Sequence, residues 1–104
     1  PAIEHGGLRF LPGRGEVTLN GAPVSLSGKE FLLLEKFLRA GNSLLTEEQL
    51  KDAIYGMDTD VGSNALNVHI HHLRRKLGRE LIQTVRGMGY RLGPPPDNMA
   101  QELQ

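Results

Sequence analysis

The sequence has 104 residues, the length of one small domain, and 38% of them are hydrophobic, enough to build a core. It contains no cysteine, no apolar run of membrane-spanning length and no secretion signal, which excludes disulfides and cysteine-ligated zinc and predicts a cytoplasmic protein without a membrane partner. The charges of the 12 basic and 12 acidic residues sum to zero over the whole chain, but residues 61–92 carry a net charge of +5. Such a basic stretch indicates a polyanionic partner, most often nucleic acid.

The N-terminal part of the chain predicts a small antiparallel sheet. Residues 1–7 show no periodicity and are interpreted as a linker, so the domain is expected to begin at Leu8. Residues 8–10 and 17–19 alternate apolar and polar side chains, as half-buried strands do. Asn20-Gly21 is a strong signal for a hairpin that leads into a third strand over 23–26.

Two capping boxes predict the next two helices. Ser27 with Glu30 predicts a core helix over 28–40. Thr46 with Gln49 predicts a second, shorter helix, which the glycine at position 56 should end.

A third helix is predicted over 63–77, with Ser63 as its N-cap. At about 100° per residue, four apolar side chains form one narrow buried stripe: Leu66, Ile70, Leu73 and Leu77. The opposite side carries Asn64, Val68, His71, His72 and Arg75, and the flanks carry His69, Arg74 and Lys76. Such a helix can enter a major groove, with flanking cations at phosphates and central side chains at base edges.

A β-hairpin is predicted over 81–92. Ile82 and Tyr90 suit strands, whereas Gly87 and Gly89 permit a tight turn at which Arg86 stands. An isolated basic helix is more often a solvated surface, but the hairpin that follows favours nucleic-acid binding.

The segments SGKEFLLLEKFLRAG, LLTEEQLKDAIYG, SNALNVHIHHLRRKLG and IQTVRGMGYRL strongly resemble the C-terminal effector domain of OmpR/PhoB-type response regulators, and most closely the PmrA/QseB-type members. The resemblance covers residues 8–92. It implies an α+β fold, a winged helix-turn-helix with an N-terminal antiparallel sheet, three helices and a C-terminal β-hairpin wing. It also implies sequence-specific binding of double-stranded DNA that controls transcription.

The faces of the third helix, the hairpin turn and the resemblance together give particular positions expected roles. The recognition helix in the major groove would bind DNA through Asn64, Val68, His69, His72, Arg74, Arg75 and Lys76, and the wing in the minor groove through Thr84 and Arg86. The position of His69 contacts the DNA backbone in that family and that of His72 commonly faces bases, although some members have arginine there. The loop over 56–62 would contact RNA polymerase through Met57, Asp58, Thr59 and Asp60.

Several partners follow from the same resemblance. A second protomer would bind head to tail on direct repeats. A receiver domain would lie upstream, under the control of a cognate histidine kinase. The proline-rich residues 93–104 are expected to be a disordered tail.

Other classes of function were weighed against this one. His69 and His72 have helical spacing for a metal ion, but no cysteine or nearby carboxylate completes a site. Acid–base cleavage of phosphodiesters by these histidines would need a nucleophile or a paired carboxylate, and neither is evident. A protein-interaction module is disfavoured by the net charge of 61–92. We therefore expect no enzyme, no metal and no cofactor.

Overall fold

The computed structural model describes residues 1–55 and 65–96. Within these ranges the elements are β1 (Ile3–His5), β2 (Leu8–Leu11), β3 (Glu16–Leu19), β4 (Ala22–Pro23), α1 (Gly28–Ala40), α2 (Glu47–Tyr55), α3 (Ala65–Leu77), β5 (Ile82–Val85) and β6 (Gly89–Leu92). The strands β1 to β4 form an antiparallel sheet in chain order, and β5 and β6 form a separate hairpin. The predicted fold class, a winged helix with an N-terminal sheet, is confirmed.

The N-terminal sheet differs from the sequence prediction at both edges. Ile3–His5 pairs with β2, so the segment 1–7, interpreted as a linker, contains a strand. This strand was missed because its sequence, one apolar residue followed by two polar ones, does not alternate. Asn20 and Gly21 both have positive φ, 52° and 87°, and make the predicted hairpin turn. The strand that follows ends at Pro23 rather than at 26, and proline has no amide hydrogen for the ladder.

Both predicted capping boxes are present. The Ser27 hydroxyl accepts a hydrogen bond from the Glu30 amide at 3.2 Å, while the Ser27 amide donates to the Glu30 carboxylate at 3.0 Å. Thr46 and Gln49 make the same reciprocal pair at 3.1 and 2.9 Å. The first helix therefore spans the predicted residues, Gly28–Ala40.

The core joins the sheet to all three helices. Phe10 of β2 is fully buried, and its ring stacks on Phe31 of α1 with the centroids 4.3 Å apart. The four apolar side chains predicted for the inner stripe of α3 are buried, with exposures of 0–2%: Leu66, Ile70, Leu73 and Leu77. This burial fixes which side of α3 faces solvent.

The residues after the hairpin return to the first strand. The Gly93 amide donates to the Leu81 carbonyl at 2.6 Å, and Nε2 of His5 donates to the Gly93 carbonyl at 2.8 Å. The predicted tail therefore begins with residues that pack on the domain, whereas 97–104 lie outside the described residues. Among the helices described, none is long and apolar enough to cross a membrane.

Candidate nucleic-acid interface

The outward face of α3 is exposed over its length. Asn67, His71 and Arg75 are exposed, and Val68 has 46% of its surface accessible. An apolar side chain this accessible in the middle of a polar face is available for contact with a partner. Asn64, predicted for the same face, lies outside the described residues.

Arg74 joins α3 to the hairpin. Its Nε and Nη2 donate to the carbonyl of Ile82 at 3.0 and 2.7 Å, and Nη2 also donates to the hydroxyl of Thr84 at 3.1 Å. Two side chains predicted to bind DNA, Arg74 and Thr84, are therefore hydrogen-bonded to each other. The arginine holds the wing against the recognition helix.

Glu30 of α1 joins two further predicted residues. It is 3% exposed and is the one buried charged residue in the described part of the chain. Nζ of Lys76 lies 2.7 Å from its Oε1, and Nδ1 of His72 lies 3.2 Å from its Oε2. Lys76 also donates to the Ser25 carbonyl at 3.0 Å. We call Glu30, His72 and Lys76 the Glu30 cluster.

The Glu30 cluster keeps its carboxylate ionised. Burial alone would raise the pKa of Glu30, but hydrogen bonds from Lys76, the Ser27 amide and His72, together with the positive charge of Lys76, outweigh burial. The pKa of Glu30 therefore lies below its ordinary value. Because Glu30 and Lys76 carry opposite charges 2.7 Å apart, the pair adds no net charge to the surface of α3.

His69 lies between the buried and exposed sides of α3. Its Nδ1 is buried and has no hydrogen-bond partner among the described residues. Burial lowers the pKa of His69 below its ordinary value. The negative charge of Glu30 opposes this, whereas the positive charge of Lys29, and that of His72 when its ring is protonated, adds to it. The imidazole is thus favoured in its neutral form, which keeps one N–H donor.

The hairpin presents Arg86 at its turn. Arg86 is exposed, and Gly87 beside it has φ +74°. Met88 follows with 60% of its surface accessible. Close to the turn, the returning strand is held by Tyr90, which exchanges two 2.8 Å backbone hydrogen bonds with Leu45.

A concave surface lies between α3 and the hairpin, with a cavity volume of about 480 Å³. We call it the α3–wing cleft; its lining residues are Asn67, Ile70, His71, Arg74, Arg75, Arg79 and Tyr90. The Tyr90 hydroxyl donates to Oδ1 of Asn67 at 3.2 Å across it. Three arginines and no carboxylate line this cleft, which suits an anion.

Two functional candidates were missed at the sequence level. Arg79 was counted in the basic stretch but was not assigned to the interface, because it follows the end of α3. Glu30 was recognised only as a capping residue, and no local pattern connects it to His72 or Lys76.

The loop predicted to contact polymerase, Met57 to Asp60, lies outside the described residues. In the ranges 1–55 and 65–96, no group of three or more histidine or acidic side chains could hold a metal ion.

Comparison with known proteins identifies relatives of this arrangement. Residues 21–92 match the family described as "Transcriptional regulatory protein, C terminal". The chain is 47% identical over 95 residues to the response regulator protein PmrA of Pseudomonas aeruginosa, covering 91% of this chain and 43% of that protein. It is 45% identical over 91 residues to the transcriptional regulatory protein QseB of Escherichia coli O157:H7, covering 88% and 42%. The chain thus spans about two fifths of the length of these relatives.

A solved structure has the same fold. It is the DNA-binding domain of RstA from Klebsiella pneumoniae, in complex with the RstA box. The TM-score is 0.77 at 27% sequence identity, and the match covers 89% of this chain and 97% of that one. The resemblance predicted from the sequence is confirmed.

Proposed function

Because this chain belongs to the family of OmpR/PhoB-type C-terminal DNA-binding domains, we propose that it binds specific sequences in double-stranded DNA as the effector domain of a response regulator. The family consists of transcriptional effector domains, which are not enzymes. The proposal extends to control of transcription in the cytoplasm, which is what such a domain does when it occupies a promoter.

The observation that carries the proposal is the basic surface formed by α3 and the hairpin. Its cations include Arg75 and Arg79, which line the α3–wing cleft. The carboxylate of Glu30 is buried beneath α3 and already paired. A backbone phosphate would meet arginine donors in this cleft, and phosphate contacts of this kind supply most of the non-specific affinity for DNA.

Sequence reading would fall to the outward face of α3. Val68 is exposed and could contact a thymine methyl group, and His72 could hydrogen-bond a base edge. Asn64 is assigned to the same role by the helical pattern, which predicts it on the side opposite the buried stripe. Arg75 would bind phosphate. Arg74 and Lys76 would lie at the edges of the contact, where each already holds protein atoms.

The wing would lie along the adjacent minor groove. Arg86 is exposed at the bend, and the turn glycines carry no side chain to hold the backbone away from DNA. Narrow minor grooves concentrate negative potential and attract arginine.

The partners of the whole protein are part of the same proposal. A second protomer would bind head to tail on a direct repeat, and an upstream receiver domain controlled by a histidine kinase would regulate occupancy.

RNA polymerase would meet the loop containing Asp58 and Asp60. Replacing both aspartates with alanine should impair activation in a reconstituted transcription assay and leave DNA binding unchanged.

The proposed function is tested by binding to a random duplex and to sequences selected from a random pool. We expect affinity to fall steeply with salt on both, because each neutralised phosphate contributes about 0.9 to the slope of log K against log salt. Selected sequences should bind about 10³-fold or more tightly than random ones. Salt-independent binding, or equal affinity for the two pools, would rule out sequence-specific DNA binding.

A further inference from the structure

The buried carboxylate of Glu30 is surrounded by hydrogen-bond donors. Its Oε1 accepts from Nζ of Lys76 at 2.7 Å and from the Ser27 amide at 3.0 Å, and its Oε2 lies 3.2 Å from Nδ1 of His72. An ionised carboxylate has acceptors only. The nitrogen of His72 that faces it must therefore carry the hydrogen.

This constraint decides the chemistry of the other ring nitrogen. In its neutral form the His72 ring has one N–H, so a hydrogen on Nδ1 leaves Nε2 as an acceptor, whereas in the protonated form both nitrogens donate. The side chain of His72 keeps 35% of its surface accessible, while that of Glu30 keeps 4%. Val68, one helical turn earlier, is exposed on the same outward side of α3. The ring is thus fixed at its inner nitrogen and accessible elsewhere.

An acceptor on this face discriminates among bases. In the major groove, adenine offers an amino donor at N6 and cytosine at N4, whereas guanine presents N7 and O6 and thymine presents O4, all acceptors. An acceptor at Nε2 can bond to either amino group and is repelled by the guanine and thymine oxygens. The opposite tautomer would favour guanine or thymine.

We propose that Glu30 is a specificity-determining residue: by accepting a hydrogen bond from Nδ1 of His72, it fixes the tautomer in which Nε2 selects adenine or cytosine. The base preference rests on the proposed function, whereas the tautomer does not. Glu30 acts through His72 and need not touch DNA itself. Lys76 assists by holding the same carboxylate from its other oxygen.

The tautomer is tested first, without DNA. Nitrogen-15 NMR of the imidazole rings in the whole chain, at alkaline pH where imidazole is neutral, should identify His72 as the Nδ1–H form. In Glu30→Gln the side-chain amide can donate as well as accept, so the Nε2–H form should appear. The matched control is Glu35→Gln, the same change on the same helix at a partly exposed carboxylate paired with Arg39 at 2.9 Å; it should leave the His72 signals unchanged.

The base preference is tested by selecting bound sequences from a random pool at the same alkaline pH, where the ring is neutral. The position whose preference is lost in His72→Ala should favour adenine or cytosine with the unsubstituted chain. Glu30→Gln should reduce that discrimination by about two- to tenfold, as expected for one hydrogen bond, while preferences at other positions persist. Glu35→Gln should select the same sequences as the unsubstituted chain.

Three results would overturn the proposal: an Nε2–H tautomer in the unsubstituted chain, a guanine or thymine preference at the His72 position, or an unchanged preference in Glu30→Gln. A merely structural role for Glu30 would lower affinity at every position without altering the choice at one. If Glu30→Gln does not fold, Glu30→Asp keeps the charge but withdraws the oxygen from the ring, and the same spectrum and selection apply. Loss of all sequence preference in the unsubstituted chain would instead contradict the proposed function, and the NMR spectrum would still decide the tautomer.

Discussion

Individual cationic side chains on this surface have different tasks, although the sequence alone presents them as equivalent. Arg74 holds the Ile82 carbonyl and Lys76 holds Glu30. Arg75 is exposed on the outward face. Neighbouring residues of similar chemistry should therefore respond differently to substitution.

Comparing Arg74→Ala with Arg75→Ala separates these tasks. Arg74→Ala should lower the free energy of unfolding by about 1.5–3 kcal/mol, since a hydrogen bond from a charged donor contributes about this much. Arg75→Ala should change it by less than about 0.5 kcal/mol, as surface substitutions usually do, but should weaken binding to all DNA sequences. Urea unfolding and duplex titration measure the two effects. Equal stability losses would contradict the assignment of Arg74 to the hairpin.

Arg86 provides a second residue-level prediction. If it enters the minor groove, Arg86→Ala should cost affinity chiefly when the DNA flank is A·T-rich. Changing that flank to G·C should weaken binding by the unsubstituted chain and hardly affect the variant, and this four-way cycle isolates the coupling between side chain and flank. The slope of log K against log salt concentration should also become shallower by about one unit. Unchanged binding to both flanks would leave the wing a structural hairpin only.

The lowered pKa of His69 predicts how stability depends on pH. The folded chain binds a proton at His69 less readily than the unfolded chain, whose value is near 6.5. The stability contributed by neutral His69 is therefore complete above that pH and is lost as the pH falls through the folded pKa. Glu30, whose pKa is lowered from 4.5, contributes a second loss in the same direction at more acidic pH.

Urea unfolding across this pH range tests the assignment. His69→Gln should lack the first decline in the free energy of unfolding, while the decline below pH 4.5 due to Glu30 persists. His71→Gln, at an exposed neighbour on the same helix, serves as the control and should retain both declines. A first decline that survives in His69→Gln would assign it to another group.

At the scale of elements, the hairpin is positioned by three contacts, two from α3 and one from the segment that precedes α2. Arg74 of α3 holds β5, Asn67 of α3 holds the Tyr90 hydroxyl, and Leu45 pairs with the Tyr90 backbone. Gly89 makes the close approach possible, because a Cβ there would lie 2.2 Å from the Leu45 carbonyl oxygen. The wing is therefore placed by backbone proximity as much as by side chains.

Gly89→Ala should disturb this placement more than Gly87→Ala. At Gly87, with φ +74°, a Cβ meets nothing within 4 Å, so the cost is the strain of a left-handed residue, about 1–2 kcal/mol. At Gly89, with φ +146°, the added carbon also meets backbone that cannot move aside. The free energy of unfolding, with DNA affinity as a second measurement, compares the two variants. Equal costs would show that the Leu45–Tyr90 pairing is not needed to seat the wing.

Elements with local signals were predictable from the sequence, and contacts between distant residues were not. The first helix, both capping boxes and the Asn20-Gly21 turn depend on residues within four positions of one another. The Glu30 cluster joins positions 42 and 46 residues apart, and no periodicity encodes such a pairing. Sequence reasoning therefore predicted an interface region on the third helix and the hairpin, but not which of its residues hold other protein atoms.

At the scale of the whole molecule, we predict tandem binding in one direction. Direct repeats with centres about one helical turn apart, roughly 10–10.5 base pairs, should be occupied by two chains on one face of the DNA. Shifting one repeat by half a turn should abolish joint occupancy while each half-site still binds. Footprinting and native electrophoresis measure this. Protection of inverted repeats only would contradict the head-to-tail arrangement.

The contact between His5 and Gly93 closes the described polypeptide almost into a ring. Its consequence is topological: the order in which the elements are connected can be changed without moving any of them. A short linker could join the segment before His5 to the segment after Gly93, and new ends could be opened in the exposed turn at Gly13–Gly15. The resulting circular permutant should retain the same core. Such exposed turns tolerate new ends well, and the permutant would place a fused reporter on the opposite end of the sheet strands β2 and β3.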